Sequence, residues 1–131
     1  MNDQQRHGSG MVVRRQVLGD AHVDGAVART NDFNRDFQDL ITRYAWGEIW
    51  TRPGLDLRTR VCITLALMVA LNRPDEFRMY VRAARQNGVT RDELKEVLLQ
   101  TAIYCGVPAA NSAFHWADEV LKEEDSNYSQ S

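Results

Sequence analysis

Arg58 and Arg60 stand two residues apart at the head of a long apolar run, residues 61–71, and Trp46, Glu48 and Trp50 come shortly before them. A guanidinium fork holds a carboxylate through parallel charge-assisted bonds, and an indole N–H adds a directional donor. Such donors, fixed where a helix enters a core, suit a small carboxylated ligand and can stabilise an oxyanion formed on it. Two residues of a helix separated by one other point to different sides, so one arginine is expected at the site and the other in a salt bridge or subunit contact. Alternatively both simply begin the helix and cover apolar surface with their stems. Trp46 and Trp50, four apart, share a helix face and could wall a flat pocket, or pack in a core or interface. Glu48 points elsewhere, as a surface charge or, if buried, as a carboxylate that orients an arginine.

A second group could move a proton. Glu76 and Tyr80 are four apart, so their side chains meet on one helix face. Tyr80 could donate if a nearby arginine lowers its phenol pKa, and Glu76 could serve if burial raises its own. Tyr80 also fits an ordinary apolar stripe with Phe77, Val81 and Ala84. His115, on the last helix near Asp118 and Glu119, is a third candidate acid, with a partly exposed structural histidine as the plain alternative. His22 reads as structural, and His7 has no assigned role. Cys62 and Cys105 form no CxxC pair, so neither a disulfide framework nor a metal site is expected. They read as reduced thiols filling a core.

The elements that must carry these residues are helical. Residues 11–18 give a short helix closed by Gly19, and residues 20–29 another. Asn31 or Asp32 can cap a helix with the stripe Phe33, Phe37, Leu40, Ile41 and Tyr44, continuing through Trp46 and Trp50 until Pro53-Gly54 breaks it. Residues 57–71 form an apolar helix. Pro74 opens the next, which ends near Asn87 with Gly88 beyond it. Thr90 and Glu93 form a capping box for a helix ending at Gly106, and Pro108 opens the last. No segment alternates with period two. The expected fold is all-α, six or so helices. The helix at residues 57–71 is apolar on nearly every side, so subunits are expected to help bury it.

The chain has 131 residues, 44% hydrophobic and 26% charged, with a net charge of -2. That is one domain's worth, expected at residues 11–124 between a mobile start (1–10) and a mobile tail (125–131). The charge balance gives no support to a nucleic-acid binder. The apolar run is too short to span a bilayer, and the polar start lacks a signal-peptide core. A cytoplasmic protein with neither nucleic-acid nor membrane partners is expected.

Five segments carry a family resemblance: VLGDAHVD (17–24), DFNRDFQ (32–38), YAWGEIWTRPGLDLRTR (44–60), NGVTRDELKEVLLQ (87–100) and YCGVPAANSAFHWADEV (104–120). Together they resemble gamma-carboxymuconolactone decarboxylases, of the alkylhydroperoxidase-D-like all-α superfamily. The resemblance runs from about residue 14 to residue 120. It implies an alkylhydroperoxidase-D-like bundle that forms homo-oligomers, often hexamers. The implied activity lies in protocatechuate catabolism, the beta-ketoadipate pathway: 4-carboxymuconolactone loses carbon dioxide to give the beta-ketoadipate enol-lactone, without a cofactor. The partner implied is thus a small dicarboxylate lactone. In EFRMYVRAARQNGV the family usually has His where this chain has Tyr80. The redox branch of the superfamily carries a CxxC pair and a following His there, and the matching places here hold Arg73, Glu76 and Tyr80, so thiol peroxidase chemistry lacks its thiols. The alternatives to a decarboxylase are a divergent member that binds a related lactone with altered or weak catalysis, a thiol-dependent peroxidase, and an all-α transcriptional or scaffold protein.

Overall fold

Asn2 starts the first helix. Its side chain accepts the Gln5 N–H at 2.8 Å while the Gln5 side chain accepts the Asn2 N–H at 2.9 Å, which satisfies two donors that a helix start leaves open. In the computed structural model, which describes residues 1–130, this gives α1 (Asp3–Leu18), followed by α2 (Asp20–Ala28), α3 (Arg35–Leu40) and a π-helical stretch, Ile41–Ile49. Then come α4 (Leu57–Ala70), α5 (Pro74–Gln86), α6 (Arg91–Tyr104) and α7 (Val107–Gln130). No strand occurs among the described residues, as an all-α chain requires. No helix among them is long and apolar enough to cross a membrane. The chain divides into two compact units, Met1–Leu57 and a second beginning at Arg58.

In the first unit α1 packs along the π-helical stretch and against α2. Backbones meet there: a Cβ on Gly10 would collide with the Thr42 carbonyl oxygen, and a Cβ on Gly47 with the Arg6 carbonyl oxygen. The sequence reading starts this helix at Met11. It begins at Asp3 because residues 3–10 are capped by Asn2 and carry the glycine contact. Arg14 is buried on the same face, and both its terminal nitrogens donate to Gln38 Oε1 at 3.3 Å. At the end of the π-helical stretch the Trp50 N–H donates to the Ala45 carbonyl, five residues back, at 3.0 Å. The expected apolar stripe of this region is not its buried face. Phe33 is 98% exposed, with Phe37, Leu40 and Tyr44 also exposed, while Thr42, Trp46 and Gly47 are buried. The close glycine approach decides which face turns inward.

In the second unit α5 and α6 both pack along α7. Val61, Leu65 and Val69 of α4, Phe77, Val81 and Ala84 of α5, Leu94 and Leu98 of α6, and Ala110, Ala113, Ala117 and Val120 of α7 are buried at helical spacing. Gly88, at φ +87°, ends α5 as expected. The Phe77 and Trp116 rings lie 5.8 Å apart, with the Arg78 guanidinium over Trp116. α7 stays helical past Glu123, where polar composition suggests fraying; Ser131, the last residue of the expected mobile tail, lies outside the described residues. Arginines hold that stretch: Arg82 pairs with Glu123, Arg85 with Glu124 at 2.8 Å, and Arg91 with Asp125 at 2.6 Å.

Two measurements test this packing. Gly10→Ala should lower unfolding stability by about 3 kcal/mol or more, because the obstacle is backbone. Gly8→Ala, one residue pair earlier on α1 with open space around it, should raise stability by about 0.5–1 kcal/mol. Chemical denaturation of both variants checks the pair. The Arg85 hydrogen bond holds the Glu124 carboxyl below its ordinary 4.5. A lowered carboxyl stabilises the fold above that ordinary value and ceases to as pH falls through the folded one. Amide protection factors at the end of α7, taken relative to the intrinsic exchange rate at each pH, should therefore fall below about pH 4.5, and Glu124→Gln should flatten that dependence.

Candidate functional site

Arg58 lies in the first turn of α4, where its Nη2 donates to Glu93 Oε1 at 2.5 Å. The same oxygen accepts the Thr90 N–H at 2.9 Å, and Thr90 Oγ1 accepts the Glu93 N–H at 3.0 Å. The expected capping box is therefore present, and its carboxylate also serves as an ion-pair partner. The Thr90 N–H is the main cause that holds the Glu93 carboxyl below its usual range, with the Thr90 hydroxyl and Arg58 adding to it.

Arg60 is half-buried. It falls on another side of α4, in line with Thr64, Leu67 and Leu71 at helical spacing. The Thr64 hydroxyl donates to the Arg60 carbonyl at 2.9 Å. The two arginines thus diverge as their spacing requires, Arg58 into a salt bridge with α6.

Glu76 is exposed in the first turn of α5, where the helix dipole favours a carboxylate. Tyr80 is half-buried one turn further, beside the fully buried Phe77 and Val81. His115 is 79% exposed on α7, its Nε2 3.9 Å from Glu119 Oε1. It stands in water.

Between α4 and α6 runs a groove of ≈ 380 Å³, lined among others by Thr59, Cys62, Ala66, Val97, Thr101 and Cys105. Both thiols, half-buried rather than enclosed, face it. The signal was available: Thr59, Cys62 and Ala66 repeat at helical spacing. Among the described residues no three His, Cys, Asp or Glu side chains gather into a set that could hold a metal ion.

Trp46, Glu48 and Trp50 belong to the first unit. The two indoles stack on each other, centroids 4.7 Å apart and planes 28° from parallel, with Trp46 buried and Trp50 half-buried. Each ring gives one face to the other. Glu48 is exposed, a surface charge, and accepts the Arg6 Nε–H at 3.0 Å in an ion pair with α1; it is not the buried carboxylate that would orient an arginine at a site.

Glu93 is the residue that sequence reasoning used only as a cap. Its pairing with Arg58 spans 35 residues and leaves no local pattern.

The family model described as "Carboxymuconolactone decarboxylase family" matches residues 35–119. A 4-carboxymuconolactone decarboxylase of Acinetobacter baylyi is 53% identical over 123 residues, 94% of this chain and 92% of that protein. A nitrosuccinic acid decarboxylase of Metarhizium robertsii is 41% identical over 104 residues, 79% of this chain and 73% of that one. A 4-carboxymuconolactone decarboxylase sequence of Pseudomonas putida is 56% identical over 48 residues, 37% of this chain and 100% of that sequence.

Proposed function

We propose that this chain, which belongs to the carboxymuconolactone decarboxylase family, is a carboxy-lyase that takes 4-carboxymuconolactone to the beta-ketoadipate enol-lactone and carbon dioxide. The observation that carries this reading is the identity to the Acinetobacter baylyi enzyme along nearly the whole of both chains. The Metarhizium robertsii relative is likewise named for decarboxylation, which supports the reaction class.

The chemistry sets three demands. The C–C bond to the departing carboxylate breaks, its electron pair passes through the ring C=C onto the lactone carbonyl oxygen, and a proton then reaches the ring carbon alpha to that carbonyl. The conjugated carbonyl is itself the electron sink, so the reaction needs no cofactor. The protein must supply a donor for the oxyanion, an anchor for the carboxylate that stays, and a positioned acid.

In this proposal Arg60 supplies the oxyanion donor, and Arg58, whose salt bridge to Glu93 uses an Nη2–H, offers its other N–H donors to the retained carboxylate, so that the salt-bridged arginine serves the site as well. Arg58 pairs with Glu93, and Arg60 is half-buried, where a cation acts through less water. Of the two candidate acids on α5, Glu76 is exposed and lacks the burial that the role asks of it, which leaves Tyr80. A half-buried phenol is more firmly placed than His115 in open solvent, so Tyr80 fits the acid's position better. The reaction is placed in the cytoplasm.

The protein is also proposed to act as a homo-oligomer. Ile63, Leu67 and Leu71 are 46%, 50% and 64% exposed along the side of α4 that carries Arg60, an apolar strip that a second copy would cover.

Ultraviolet absorbance of the lactone should fall rapidly with purified parent protein. Arg60→Ala should lower kcat/KM by about 10²–10³-fold, the usual loss when an oxyanion donor is removed. Tyr80→Phe should lower kcat with little change in KM. A parent inert toward the lactone, with activity appearing only in Tyr80→His, would sink the reading. Light scattering should give a mass well above the 15.0 kDa of one chain, and Leu67→Glu should reduce it. A parent mass equal to one chain would remove the oligomer.

A further inference from the structure

Among the described residues Arg58 gives one of its five N–H donors to the protein, the Nη2–H donated to Glu93. Glu93 is not a mobile partner. Its Oε1 is already fixed by the Thr90 N–H, and its own N–H is fixed by the Thr90 hydroxyl, so the first turn of α6 sets where that oxygen sits. The Arg58 side chain is half exposed, and without this tie it would sample many rotamers. A donor ordered before its ligand arrives does not lose that freedom on binding.

We infer that Glu93 is a positioning residue: it holds the Arg58 guanidinium in one orientation, in which the remaining N–H donors take a carboxylate of the substrate. The identity of that carboxylate rests on the decarboxylase reading; the tie itself does not. The inference has a physical rival. Glu93 also offsets the Arg58 charge, and if offsetting dominates, neutralising Glu93 will strengthen anion binding. The sign of the effect separates the two.

Glu93→Gln is the informative change. A glutamine at this place of a capping box still accepts the Thr90 N–H, so α6 keeps its start while Arg58 loses its ionic partner. The probe is a saturated analogue of the lactone, which keeps both carboxylates and lacks the C=C through which electrons leave. Calorimetric titration of the full-length protein should show Kd about tenfold higher for Glu93→Gln than for the parent, with an unchanged melting temperature. Steady-state turnover should show the same rise in KM with kcat within about threefold. Arg58→Ala should weaken binding at least as much, and Glu93→Gln should add nothing in that background. Binding by Glu93→Gln that equals or exceeds the parent's would overturn the inference, as would a loss that persists in the Arg58→Ala background or a parent that does not bind the analogue. A parent that binds the analogue but leaves the lactone unchanged would defeat the decarboxylase reading alone, and the titrations would still decide the role of Glu93.

Discussion

Arginine–carboxylate pairing between helices far apart in sequence is the constraint on which the second unit depends. Arg58 joins α4 to Glu93 of α6, Arg78 joins α5 to Glu119 of α7, and Arg82, Arg85 and Arg91 reach Glu123, Glu124 and Asp125 along the same helix. Each exposed pair is energetically small, roughly 0–1 kcal/mol. The driving force comes from the buried stripes of Val61, Leu65, Phe77, Val81, Leu94 and Leu98. Apolar contact is tolerant of sliding by a turn, however, and a series of paired charges is not. The arginines therefore set register, and the one at the start of α4 is the same residue to which an anion-anchoring role is assigned.

The first unit is governed differently. Gly10 and Gly47 let α1 and the π-helical stretch approach backbone to backbone, and Trp46 and Trp50 are carried on that stretch. Standing four apart in sequence, the two indoles would already be neighbours on a regular helix. The wider turn keeps them neighbours and leaves them stacked. Arg14 adds a buried donor tie to Gln38 of α3.

What could be read from the sequence was what is local. The Thr90–Glu93 box, the Pro74 start, the Gly88 stop and the divergence of Arg58 from Arg60 each follow from a few neighbouring residues, and each stands in the structure. The Asn2–Gln5 cap was equally local but sat inside a polar stretch that composition alone would set aside. The π-helical stretch was not visible, because an i−5 hydrogen bond leaves no mark on a pattern read at 3.6 residues per turn. The outward turn of Phe33 and Phe37, and the extension of α7 past Glu123, depend on contacts made across tens of residues. The same holds for the candidate site: the spacing of Glu76 and Tyr80 was readable, whereas the partner of Arg58 was not.

The Trp46–Trp50 stack has a spectroscopic consequence. Two indole transition dipoles held at such a short separation couple excitonically, so the first unit carries a built-in circular-dichroism couplet that no labelled residue need supply. Trp116, beneath a guanidinium in the second unit, has no second indole among that unit's described residues and would contribute ordinary emission instead. The three chromophores would let the melting of each unit be followed separately in an unmodified sample.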